Sequence, residues 1–207
     1  MSATVTDNRS ARERLLAAAD ELFYEQGIHT VGIDRIIERA GVAKASLYSV
    51  FGSKDELVRA YLESRDEARR VRVQAVVDRH AEPRARVLAV FDSLAKTVAL
   101  PGFRGCAFAN ASAESDGDSV AAEVTRTARR WLHDLLIELT AALGVADPDG
   151  LSIQLALLYD GALVQSRLDR DPARGAAART AAEVLIDAAL PPAPKRRAGS
   201  GSTHAAR

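Results

Sequence analysis

Signals that start an α-helix recur along the whole chain, and they constrain the fold more than any other feature. Ser10-Ala-Arg-Glu13 and Ser53-Lys-Asp-Glu56 both have the form of a capping box. In that motif a serine hydroxyl accepts from the N–H three residues on, and the glutamate carboxylate reaches back to the serine N–H. Pro83, Pro148 and Pro172 stand where a first helical turn tolerates proline, and Asp147 and Asp171 precede two of them. Between these starts apolar residues recur on one helical face, as in Leu15, Ala18, Ala19, Leu22 and Phe23. Glycines close the segments: Gly27 and Gly41 stand at left-handed stop positions, and Gly52 and Gly144 end two more. No segment alternates apolar and polar residues with period two, so no sheet is expected. The expected fold class is all-α with about nine helices. Their spans are 11–26, 33–40, 44–50, 53 to about 80, 83 to about 99, 105–113, 119–143, 148 to about 170 and 173–190.

Composition narrows what such a chain does. Apolar residues make up 47% but aromatics only 5%, so the core is built largely of alanine, leucine and valine. The longest stretch without a charge, residues 150–159, is ten residues, well short of a membrane span. The opening MSATVTDNRSARER has no apolar core of a secretory signal, so a cytoplasmic protein without membrane contact is expected. Cys106 is the single cysteine, and His29, His80, His133 and His204 are scattered, so neither a metal site nor a cofactor is expected. Glycine-rich phosphate loops and serine nucleophile elbows are absent too, which argues against an enzyme. Residues 191–207 hold four basic groups and no acid amid proline, glycine and serine, and are expected to be a disordered basic tail.

The informative stretch lies at residues 32–51. Two short helices joined by Gly41-Val42 and followed by a capped third have the layout of a helix-turn-helix. The second short helix must be pinned by an inner face, here Leu47 and Val50, while a polar outer face enters the major groove. Lys44, Ala45, Ser46, Tyr48 and Ser49 form that outer face. The small side chains allow close approach, and the lysine, tyrosine and serines can reach phosphates or base edges. Arg35 on the first short helix is a further candidate.

RIIERAGVAKASLYSVFGSKDEL resembles the DNA-binding segment of the TetR family of transcriptional regulators. Ala40-Gly41-Val42, Leu47-Tyr48, Phe51, Ser53-Lys54 and Leu57 fall at that family's spacing, and the likeness covers residues 9–69. It implies that Tyr48 and Lys54 contact phosphates, that Lys44, Ala45, Ser46 and Ser49 face the groove, and that double-stranded DNA is the partner. Gly32 and Ala43 depart from the pattern by standing where many members carry a serine or threonine cap, and Val50 and Ser49 replace larger side chains. Residues 1–62 hold eight basic and nine acidic side chains. Positive charge is confined to Arg35, Arg39, Lys44 and Lys54 within residues 30–54, so a modest salt slope is expected.

Residues 83–190 form a second body, larger than a helix-turn-helix needs. The resemblance implies a homodimer, with an interface on the last two helices through Leu155, Leu158, Ala162, Ala178, Ala182, Leu185 and Ile186. It also implies a small apolar or amphipathic ligand. Apolar walls are sought in Phe91, Phe103, Phe108, Trp131, Leu135 and Tyr159, and polar contacts in Cys106, Asn110 and Gln165. Cys106 in Gly-Cys-Ala-Phe also reads as a small buried hydrophobe. The expected function is a dimeric repressor released from a palindromic operator by the ligand. The alternative is a dimeric regulator without a ligand, acting as an adaptor or an activator.

Overall fold

The computed structural model describes residues 9–191, and within them the chain forms nine α-helices and no strand. They are α1 (Ala11–Gln26), α2 (Ile33–Ala40), α3 (Lys44–Phe51), α4 (Lys54–Val77), α5 (Pro83–Val98), α6 (Ala107–Ala113), α7 (Val120–Ala141), α8 (Pro148–Leu168) and α9 (Ala173–Ala189). The expected disordered tail falls, apart from Pro191, outside the described residues. Helix α4 stops short of His80 because its last turn tightens, with Arg79 and His80 donating to carbonyls only three residues back.

Local chemistry sets the starts. At Ser10 both halves of the capping box are made: Glu13 N donates to Ser10 Oγ at 3.2 Å, and Ser10 N donates to Glu13 Oε2 at 2.7 Å. At Ser53 only one half forms. Glu56 N donates to Ser53 Oγ at 3.1 Å, but the Glu56 carboxylate turns to Arg59 at 3.4 Å. Asp147 Oδ1 accepts from Gly150 N at 2.9 Å. The Asp171-Pro172 start works differently from its twin: Pro172 is itself the cap residue, and Asp171 accepts from Ala173 N at 2.9 Å.

Two apolar clusters organise the chain. One gathers α1, α2, Leu47 of α3 and the first half of α4, and is completed by Ala107, Phe108 and Ala111 of α6 and by Ala121, Val124 and Ala128 of α7. The other gathers α5, α8, α9, the second half of α7 and Val73 and Val77 of α4. Helix α4 therefore belongs to both, which ties the position of α1–α3 to the larger body.

The second cluster takes up most of the residues expected at the dimer face. Leu155, Ala162, Ala178, Ala182 and Ile186 are buried within this chain, and Leu158 and Leu185 are half-buried against the same cluster. The small residues do permit close packing, but it is the packing of α9 onto α5 and α8 of the same molecule. At Gly175 a Cβ would lie 2.7 Å from the Ala95 Cα, which shows how near α9 approaches α5. The outward face of the pair carries Ile153, Leu157, Val164, Leu168 and Val184, all exposed; Leu157 is 68% and Leu168 74% open to solvent.

Candidate nucleic-acid interface and ligand cavity

The turn between α2 and α3 is closed by backbone bonds. Gly41 adopts the left-handed conformation (φ 61°), Gly41 N donates to Glu38 O, and Val42 N donates to Ile37 O at 3.2 Å. This pair of bonds is the Schellman arrangement, and it fixes the angle at which α3 leaves α2. From outside, Arg14 Nη1 donates to Gly41 O at 3.3 Å, and Arg39 makes a two-pronged bond to Glu21, locking α2 to α1.

Helix α3 is anchored by one fully buried side chain, Leu47. Val50 was expected beside it, but it is 37% exposed, and half-buried Phe51 takes the inner position. Around the axis, Phe51 lies roughly 40° from Leu47 and Val50 roughly 60° on the other side, so the i+4 residue wins. The Phe51 ring is then covered by the Arg12 guanidinium, 5.5 Å from its centroid.

Most of the residues expected on the outer face stand in solvent. Lys44, Ala45, Ser49 and Tyr48 (46%) are exposed and Ser46 is half-buried, with Arg35 and Gly32 exposed on the neighbouring helix start. Gly32 and Ala43 make no side-chain cap, so the first N–H groups of α2 and α3 are not claimed by a hydroxyl. Lys54 opens α4, with its ammonium 6.0 Å from the Phe23 ring centroid. One partner was not foreseen: Asp34 Oδ1 accepts from Lys44 Nζ at 2.9 Å and pushes the lysine further up, so the cation is held in place and fully charged at neutral pH. The signal lies in the sequence, since residues 34 and 44 both stand in the first turns of the two helices that Gly41-Val42 brings together.

In the larger body a cavity of about 890 Å³ opens between α6, α7 and α8, with Arg69 of α4 at its side. Of the expected lining residues it brings together Cys106, Phe108 and Tyr159. The other six lie elsewhere. Phe91 and Leu135 are core, Phe91 standing edge-on behind Tyr159 at 6.3 Å. Trp131 packs under Arg69 and Arg70, and Asn110 is engaged by Arg167 and the Arg104 carbonyl. Phe103 lines a smaller cavity beside Tyr24 and Arg65, and Gln165 is exposed on α8. Burial pushes the Cys106 thiol and the Tyr159 phenol up, so both are neutral near pH 7. Residues that the sequence reading did not assign to the cavity include Arg126, Arg129, Arg130 and His133. They recur at i, i+3, i+4 and i+7 on α7, a periodicity that reads at first as a solvated face.

The cavity and the reading head meet at the end of α6. Glu114, which caps α6, accepts from His29 N at 2.9 Å in the α1–α2 connection. Its carboxylate lies 2.5 Å from where a Cβ of Gly27 would be, and Gly27 has φ +93°, so only glycine suits that position. Just before α6, Tyr24 OH donates to Gly105 O at 3.0 Å and accepts from Arg104 N at 2.9 Å.

Comparison with known proteins agrees with this geometry. Residues 15–61 match the model for bacterial regulatory proteins of the tetR family, and residues 83–182 match the tetracyclin repressor-like C-terminal domain. The transcriptional regulator AcuR of Cereibacter sphaeroides is 30% identical over 177 residues, 80% of each chain. The transcriptional activator FasR of Mycolicibacterium smegmatis is 40% identical over 85 residues, 39% of each chain. The crystal structure of SCO4454, a TetR-family transcriptional regulator from Streptomyces coelicolor, superposes with a TM-score of 0.84 at 37% identity, covering 87% of this chain and 96% of that one. With a half-buried helix that carries a polar face and matches that span 80% and 87% of the chain, the chain belongs to the TetR family of DNA-binding transcriptional regulators.

Proposed function

We propose that the protein is a homodimeric repressor that leaves a palindromic operator when a small apolar or amphipathic molecule fills the cavity between α6, α7 and α8. The observation that carries this reading is the double role of α6. Cys106, Phe108, Ala109 and Ser112 face the cavity, while Glu114 at the other end of the same short helix grips His29 N beside the first helix of the reading head. A ligand that displaces α6 pulls on that junction and favours one spacing of the two heads over the other. Phosphate contacts fall to Tyr48 and Lys54, and the groove-facing positions are Lys44, Ala45, Ser46 and Ser49.

Pairing of two copies is supported by the outward apolar face of α8 and α9, where Ile153, Leu157, Leu168 and Val184 stand in solvent in the single chain. One recognition helix of eight residues reads few base pairs, and a two-fold dimer doubles the site. The activator FasR among the relatives favours a second reading, in which the same dimer recruits rather than blocks transcription.

The test is to denature the purified protein, identify by mass spectrometry any small molecule released, and compare operator binding by the refolded protein with and without it. Release from the operator on adding the molecule back is expected. Operator binding that is unchanged, with no molecule recovered, would instead favour a regulator that works without a ligand.

A further inference from the structure

The cavity between α6, α7 and α8 carries a charge pattern that its apolar floor does not explain. Four guanidiniums line it, Arg69, Arg126, Arg129 and Arg130, against one carboxylate, Asp160. Asp160 is already engaged by Arg129 at 2.7 Å. Among the described residues Arg126 and Arg130 hydrogen-bond only neutral oxygens, the Gly117 carbonyl at 2.9 Å and the Thr127 hydroxyl at 3.4 Å. On their own helix, Glu123 is hydrogen-bonded to Arg59 at 3.0 Å and only neighbours Arg126 electrostatically, and Asp134, four residues after Arg130, makes no ion pair with it among the described residues.

Arg69 is the buried member, with 12% of its side chain exposed. It shares the single carboxylate of Asp66 with Arg70, so this trio keeps one positive charge in excess. One of its N–H groups reaches the Ala128 carbonyl at 2.6 Å, and its guanidinium lies 5.0 Å from the Phe108 ring. Its Nε is shut off from solvent and has no hydrogen-bond partner among the described residues. A buried donor left unmade on a charged group is costly, so the Arg69 cation is incompletely satisfied within the chain.

We infer that the cavity takes an amphipathic organic anion. Its apolar body packs against Phe108, Leu132, Tyr159 and Leu163, and its carboxylate or phosphate head lies among Arg69, Arg126 and Arg130. The inference rests on the reading of this cavity as the ligand site, and adds to it the sign of the ligand's charge. A neutral apolar ligand leaves these cations unmatched, and a cationic one is repelled by them.

Trp131, the only tryptophan, lies with its ring 5.2 Å from the guanidiniums of both Arg69 and Arg70, so its fluorescence reports on the site. The experiment titrates the full chain with four probes that share one apolar body: octanoate, octyl phosphate, 1-octanol and octylammonium. At least one of the two anions is expected to bind about tenfold or more tighter than the alcohol, with octylammonium the weakest, and the stronger anion identifies the head group. The double variant R126Q/R130Q changes two exposed side chains, so it keeps the fold. It is expected to lose about tenfold in anion affinity while binding octanol as before. Octanol binding as tightly as both anions overturns the charge assignment and leaves the cavity a ligand site. Failure of all four probes to bind overturns the ligand-site reading as well.

Discussion

Helices α3 and α8 each bury one face and expose the other, yet they expose opposite chemistries. Helix α3 hangs on Leu47 and Phe51 and shows solvent a lysine, a tyrosine hydroxyl and serines. Helix α8 hangs on Leu151, Leu155, Tyr159, Ala162 and Leu163 and shows solvent Ile153, Leu157, Val164 and Leu168. A face that meets a hydrated polyanion can stay polar in the free protein at no cost. An apolar face of that length is unfavourable in water until something covers it. On the proposed function the two helices mark two interfaces: one that opens and closes, and one suited to lasting association.

The sharpest way to break this comparison is to charge each side of the α8–α9 pair in turn. Ala182→Glu puts a carboxylate at a fully buried position and is expected to destabilise the chain by on the order of 4–5 kcal/mol, seen as loss of cooperative unfolding in a thermal melt. Leu157→Glu, on the exposed side, should leave the melt of the single chain intact and shift sedimentation from dimer to monomer. Sedimentation unchanged from the parent would remove this face from the interface.

Next in size is the anchor of α3. Leu47→Ala should cost about 2–5 kcal/mol in urea unfolding, whereas Val50→Ala should change stability by only about 0.5 kcal/mol, because Val50 does not belong to the core. Equal effects would mean that α3 is pinned as the bare periodicity suggested.

Smaller effects follow on the DNA face itself. Lys54→Ala and Tyr48→Phe should each weaken binding by about three- to tenfold on every sequence, and the lysine change should lower the salt slope by about one. A change in sequence preference would show a base contact instead. Smallest of all, Asp34→Asn frees Lys44 and removes an acid from the DNA face; affinity should rise about twofold at low salt and return to the parent value at high salt.

The same contrast explains what could be read in the chain before its structure. The helix starts and the turn between α2 and α3 depend on neighbours within a few residues: Ser10 and Asp147 cap, Gly41 turns left-handed and Leu47 is buried, as their spacing implies, and Tyr48 stands in solvent. The larger body depends on which helix packs against which. Ala178 and Ala182 look like a seam for a second chain, but α5 of the same chain occupies it. Phe91 and Leu135 look like cavity walls, but they lie one layer behind, in the core. Arg126 and Arg130 look like solvated charges until α6 and α8 are folded beside α7. Periodicity gives a face, and only tertiary packing says what lies opposite it.

The central claim, a two-fold reader of a specific site, is tested most directly by titrating the protein against the DNA flanking its own coding region and against random DNA. The titration is run at two salt concentrations with footprinting of the bound fragment. The account predicts a palindromic footprint with half-sites about one helical turn apart, bound on the order of a thousandfold tighter than random DNA. A footprint without two-fold symmetry, or equal binding to both DNAs after any co-purified small molecule has been stripped away, would contradict it.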